Sequence, residues 1–167
     1  MKIRPSSRSI AAIVFALGLA VFPLCAEMPA SKTDPSTTAI ETAILEANAR
    51  MTYAANSLNA DAFFEYILDS DKGVIIQNGV LFKTRQEALE AVKRGFVGIA
   101  TLKRQIESPR ITIISPDLAV LTGEGNTIAT LQDGRTITNH FAVSLIFQRK
   151  DGQWKVLQGH YSTPLKM

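Results

Sequence analysis

Two periodicities divide the chain. Between residues 36 and 100 apolar residues recur every three or four positions. Ile40, Ile44, Ala47, Met51, Ala55 and Leu58 form one stripe, and Leu89, Val92, Phe96 and Ile99 form another. That spacing puts side chains on one face of an α-helix. Asp34-Pro35 supplies a cap and a first-turn residue for a helix reaching about Ser57. Asn59 or Asp61 can cap a short second helix carrying Phe63, Phe64, Ile67 and Leu68, which suit the closed end of a core. Thr84 and Glu87 form a capping box for a third helix, from Arg85 to about Gly95. Between the second and third helices, 73–77 reads as a short buried strand, and Asn78-Gly79 turns it into 80–83. The stretches 101–108 and 110–115 are extended and separated by Pro109. Lys103 and Arg104 mark the first as an exposed edge.

From 118 to 164 the period falls to two. Asp133-Gly134 and Asp151-Gly152 cut this stretch into three antiparallel strands. Read as two-residue turns, they set Leu131 opposite Thr136 and Arg149 opposite Trp154. Counting by twos assigns Glu124, Asn126, Phe141, Val143, Leu145, Phe147, Trp154, Val156, Gln158, His160 and Ser162 to one face. That face is the bulkier and is taken as the interior. The other carries Gly123, Gly125, His140, Ala142, Ser144, Ile146, Leu157, Gly159 and Tyr161. Its small residues let another layer approach closely, which predicts a homodimer through the outer sheet face. A slip of one residue at either turn exchanges the faces. The elements add up to an α+β domain with helices on one face of a curved sheet and space for a cavity between the layers.

Charge changes the picture at the N-terminus. Lys2, Arg4 and Arg8 precede an apolar run at 10–22, and Ala26 offers a small residue for cleavage. A signal peptide at 1–26 is expected, with a periplasmic or secreted product and a flexible lead-in at 27–35. An uncleaved anchor is the alternative. Cleavage would take three of the 18 basic residues and none of the 15 acidic ones, so the formal charge would fall from +3 to zero. The mature chain then has no electrostatic basis for binding nucleic acid, and no stable membrane insertion is expected. Cys25, the one cysteine, would leave as well, excluding disulfides, thiolate zinc sites and a cysteine nucleophile. No His-Glu-x-x-His spacing and no Gly-x-Ser-x-Gly elbow occurs, and no metal or other cofactor is expected.

Several stretches resemble the SnoaL-like branch of the nuclear transport factor two-like superfamily, which includes domains of unknown function. They are Gly73-Val-Ile-Ile-Gln-Asn-Gly79, Gly95-Phe-Val-Gly-Ile99, Ser115-Pro-Asp-Leu-Ala-Val120, Asp133-Gly-Arg135, Asp151-Gly-Gln-Trp-Lys-Val156 and His160-Tyr-Ser-Thr-Pro164. The resemblance covers 36–164. It implies a cone-shaped domain in which three N-terminal helices pack on a strongly curved, mainly antiparallel mixed sheet around a pocket. It does not imply one function, because isomerases, dehydratases, cyclases, assembly domains and binders share the fold. The chain also departs from the ketosteroid-isomerase pattern. Tyr53 lies nearly opposite the apolar stripe, and the first strand presents Gln77 and Asn78 rather than a carboxylate. The His and Asp pair of dehydratase-like members leaves His160 without an assigned partner, Asp69 being the remaining candidate.

Glu124, Asn126, Gln158 and His160 are the polar groups on the face assigned to the interior, and they are the ligand-binding candidates. An imidazole titrating near neutrality and a desolvated carboxylate could exchange protons, so Glu124 and His160 are the catalytic candidates if the protein is an enzyme. The structural alternative is a satisfied network in which His160 bonds Glu124 or Ser162. The expected function is binding of a small, partly apolar molecule. An acid/base enzyme of the isomerase or lyase type and a non-catalytic assembly module are the alternatives.

Overall fold

The computed structural model describes residues 35–70 and 74–164. The signal peptide expected at 1–26 and the lead-in ahead of Pro35 lie outside them. Helix α1 (Pro35–Asn56) begins on its proline, where a missing N–H costs nothing. Its predicted stripe buries Ile44, Ala47, Met51 and Ala55. Asn59 caps α2 (Ala60–Phe64), its Oδ1 accepting the Ala62 N–H at 2.9 Å. Thr84 caps α3 (Arg85–Phe96), its hydroxyl accepting the Glu87 N–H at 3.1 Å. The Glu87 carboxylate accepts from the Lys83 N–H at 2.8 Å, one residue before the position a reciprocal capping box uses.

Six strands form one sheet in the order β2-β1-β6-β5-β4-β3. They are β1 (Ile75–Gln77), β2 (Val80–Phe82), β3 (Ile99–Ser115), β4 (Leu118–Leu131), β5 (Thr136–Lys150) and β6 (Gln153–Ser162). Only the β1–β6 pairing is parallel; every other neighbour is antiparallel. The sheet is curved and unclosed, and with the three helices it forms the expected α+β cone. The two extended stretches around Pro109 are one edge strand. Pro109 sits at a register shift between Glu107 and Arg110, where Ser108 takes φ 43°. An edge bulge is where a strand tolerates proline.

The register corrects the assignment of faces. The second hairpin is as expected: Arg149 pairs with Trp154 across Asp151 and Gly152, which have φ 52° and 76°. The first hairpin is not. Leu131 donates to the Arg135 carbonyl at 2.8 Å, and the loop is three residues, Gln132, Asp133 and Gly134. Of these, Gly134 takes positive φ, at 85°. The Asp133 carboxylate accepts from the Arg135 N–H at 3.1 Å, and the Gln132 N–H donates to the Gly98 carbonyl at 2.9 Å. Those two anchors hold a loop one residue longer than the two-residue reading, so Thr130 rather than Leu131 faces Thr136.

A second shift lies in β6. Phe147 pairs with Val156 but Ile146 pairs with Gln158, leaving Leu157 as an extra residue. At that point β6 changes its edge partner. Val156 bonds Tyr66 and Leu68 through its N–H and C=O (2.7 and 2.8 Å), whereas Gly159 donates to Val74 and then pairs with β1. The bulge brings the far half of β6 into register with β1 and reverses its faces.

The inner face therefore carries Ala119, Leu121, Gly123 and Gly125 from β4, with Phe141, Val143, Leu145 and Phe147 from β5. From β6 it carries Trp154 and Val156, then Gly159 and Tyr161. Ile44, Phe64, Leu121, Leu145, Phe147 and Val156 are fully buried between the helices and this face. Glycines 123 and 125 are inner residues, not part of an outer small-residue surface. A Cβ on Gly125 would lie 2.6 Å from the Phe141 ring and would also collide with the Gln105 carbonyl oxygen, so the Phe141 ring needs a glycine beneath it.

Candidate functional site

The four polar residues expected in the interior lie elsewhere. Glu124 is exposed and pairs with Ala142; His160 is exposed and pairs with Ser144. Both stand on the outer face, the former shifted by the three-residue loop and the latter by the bulge. Because both shifted, they share a face, with β5 between them. His140, expected opposite His160, is on that outer face too, paired with Asn126. Asn126 donates to the Glu107 carboxylate at 2.7 Å, and its Oδ1 is buried without a partner among the described residues. Gln158 is half-buried opposite Ile146. These residues do not converge beneath the helices. Tyr53 is 76% exposed, in keeping with its position opposite the apolar stripe.

What does face the space between helices and sheet is a different set. A cavity of about 240 Å³ is walled by Phe63 of α2, Val92, Gly95 and Phe96 of α3, and Phe82 and Leu102 of the sheet. Its polar groups are Gln77, Arg104, Thr127 and Tyr161. Among the described residues lining it there is no carboxylate and no imidazole. A larger groove, about 720 Å³, runs beside Trp154 and is lined by exposed charges such as Glu46, Arg50 and Asp69. Its half-buried arginine, Arg85, is occupied by the carbonyls of Phe64 and Ile67, at 2.6 to 3.2 Å.

Arg104 is the feature the sequence reading missed. It lies on β3 between Leu102 and Ile106, so alternation turns it inward with them, while Lys103 and Gln105 face out and are exposed. An arginine in the apolar phase of a strand was the available signal. The expectation of a solvated edge holds for Lys103 and fails for Arg104. Its guanidinium carbon lies 4.2 Å from the Phe141 ring centre and 4.7 Å from that of Tyr161. Cation–π attraction of this kind favours a desolvated guanidinium. Two glycines make the approach possible, since Gly125 and Gly123 leave β4 bare between β3 and β5.

The backbone of Arg104 is pinned from the other side. Asn56, the last residue of α1, accepts the Arg104 N–H at 2.7 Å and donates to its carbonyl at 3.1 Å. One side chain thereby satisfies both outward-facing peptide groups of an edge strand. The guanidinium itself is not fully satisfied: Nη2 is buried and has no hydrogen-bond partner among the described residues. Tyr161, expected on the outer sheet face, faces the cavity instead. Burial raises the pKa of its phenol above the ordinary value, and the Arg104 charge partly offsets that rise. The hydroxyl is therefore neutral at physiological pH and able to donate.

Fold and site together define a helix-backed cone with a largely apolar cavity whose lining, among the described residues, carries one cation, the half-buried Arg104. The model of the SnoaL-like domain matches residues 44–166, and the chain belongs to that family. Solved structures of the nuclear transport factor 2-like superfamily share the fold. A candidate scytalone dehydratase from Novosphingobium aromaticivorans superposes with a TM-score of 0.71 at 13% identity, over 78% of this chain and 87% of that one. A superfamily protein from Salmonella enterica gives 0.70 at 17%, over 78% and 95%. A hexachlorocyclohexane dehydrochlorinase from Novosphingobium barchaimii gives 0.66 at 16%, over 78% and 90%. At these identities the likeness is one of fold. No curated protein matches the sequence.

Proposed function

We propose that this protein is exported and binds a small, partly apolar molecule in the cavity between α3 and the sheet. The observation that carries this reading is the make-up of the lining, with aromatic and aliphatic walls and a few polar groups gathered at one side, as in small-molecule sites generally. The neighbouring folds include proteins named as a dehydratase and a dehydrochlorinase, which raises acid/base chemistry as a rival. Against it, the described lining offers no carboxylate or imidazole to take a proton, and Glu124 and His160 face away from the cavity. A homodimer through the outer sheet face belongs to the same proposal.

Gly95 provides the test. A Cβ there meets nothing within 4 Å, and the residue lies on α3 at the cavity wall. Gly95→Leu should fill the cavity while improving helix propensity by up to about 1 kcal/mol. Native mass spectrometry of protein recovered from its own cells should show a mature chain starting at Glu27 with a small-molecule adduct. The adduct should disappear in Gly95→Leu at unchanged or raised thermal stability. An adduct of equal occupancy in both proteins would place the ligand outside the cavity and end this reading.

A further inference from the structure

A permanent cation with one buried, unmatched nitrogen restricts what its cavity can hold. Resting on the small-molecule reading above, we infer that the cavity receives a small monocarboxylate with a flat apolar body of one or two rings, its carboxylate set against the Arg104 guanidinium. The guanidinium offers five N–H donors in its own plane and no acceptor. Its central carbon lies over the Phe141 and Tyr161 rings, whose faces attract the charge without accepting from its N–H groups as a carboxylate would. Nη2 is buried without an acceptor among the described residues, and Arg104 is the one charged residue among those lining the cavity. A cation withdrawn from water without a counter-charge is costly, and a carboxylate supplies that charge together with oxygens that accept from guanidinium N–H groups.

The rest of the wall narrows the class. Gln77, Thr127 and Tyr161 are neutral, so one cation serves the whole cavity and a dianion would be left half compensated. Phe63, Phe96 and Val92 suit an apolar ring system. The volume, about 240 Å³, exceeds the roughly 150 Å³ of a cavity that takes benzene and falls short of the roughly 300 Å³ where drug-sized sites begin.

Calorimetric titration of benzoate and 2-naphthoate against benzamide and 2-naphthamide tests the inference on the purified protein. The wild type should bind at least one acid, and bind it about 10-fold more tightly than its amide, the difference between a charged and a neutral hydrogen bond. Arg104→Met should level acid and amide, and Arg104→Lys should keep part of the preference, since it retains the charge without the fork. Lys103→Met, the same charge change on the exposed neighbour, should leave the preference intact. Equal affinity for acid and amide in the wild type, or a preference surviving Arg104→Met, overturns the carboxylate inference and leaves the cavity reading standing. So does failure of both acids to bind. Gly95→Leu separates the two: it should abolish acid and amide binding alike, and undiminished binding there overturns the cavity reading itself. Should circular dichroism show that Arg104→Met does not fold, the wild-type ratio and Arg104→Lys decide.

Discussion

The Arg104 cation acts on the charge of Tyr161, so the phenol reports on its neighbour. Burial raises the Tyr161 pKa above the free-phenol value of 10.0, while the Arg104 cation acts in the lowering direction. The raised group is the neutral form, so its contribution to stability is complete below about pH 10 and is lost as pH rises through the folded-state pKa. Phenolate absorbance in an alkaline titration should therefore include a component above pH 10 that Tyr161→Phe removes. Arg104→Met should move that component still higher, because the offsetting charge is gone. A component that moves downward in Arg104→Met would contradict the placement of the cation beside the phenol. At this scale the sequence was readable but misread. Leu102, Arg104 and Ile106 share one phase of β3, and alternation sets Arg104 with its apolar neighbours in spite of its charge. Glu124 and His160 were legible as polar residues in a sheet, whereas their direction depended on pairings not visible one residue at a time.

Elements explain that failure. Four hairpin turns join the described strands: the one between β3 and β4 is Pro116-Asp117, and the other three contain Asn-Gly or Asp-Gly. Two of them, at Asn78-Gly79 and Asp151-Gly152, have positive φ at both residues, as the pair suggests. In the third, Asp133 uses its side chain to hold Arg135 and Gly134 takes the left-handed position alone, so the same dipeptide closes a three-residue loop. The Gln132 contact with Gly98 that accompanies this loop joins residues far apart in sequence. The bulge at Leu157 has a similar origin, since it follows from β6 exchanging one edge partner for another. Helices were more legible because their caps and stripes are local: Thr84, Asn59 and Pro35 act where the sequence puts them. Asn56 shows how an element end can still serve a distant strand. Asn56→Ala removes both bonds to Arg104 and leaves two partly buried peptide groups unpaired, at a cost of about 1–3 kcal/mol. Urea denaturation should show a lower midpoint at unchanged slope. A midpoint equal to that of the wild type would mean that α1 does not hold the edge strand in place.

At the scale of the whole molecule the cone has two surfaces with opposite uses, and the corrected register redistributes residues between them. With Gly123, Gly125, Gly159 and Tyr161 turned inward, the outer sheet face keeps Ala142 and Ser144 near its middle, with Ile146 and Ile76 beside them. Leu81 and Ile128 add exposed apolar area at 50% and 39%. Charge now lies on the same face: Glu107 pairs directly with Glu124, and Lys103 and Arg110 flank them on β3. In an isologous dimer each patch meets its own copy, so the acidic pair must find Lys103 or Arg110 of the other chain or be held apart. In the proposed dimer the apolar middle would supply association and the charges orientation, which would make salt a modest perturbant and a new central charge a severe one. Light scattering should give a dimer mass, and Ala142→Lys, exposed in the single chain, should give a monomer with its helical and sheet signals intact. Because this face is separate from the cavity, the monomeric variant should keep the acid-over-amide preference unless the second copy closes the cavity. A wild-type mass of one chain across a broad concentration range would remove the dimer and leave the cavity chemistry of Arg104 untouched.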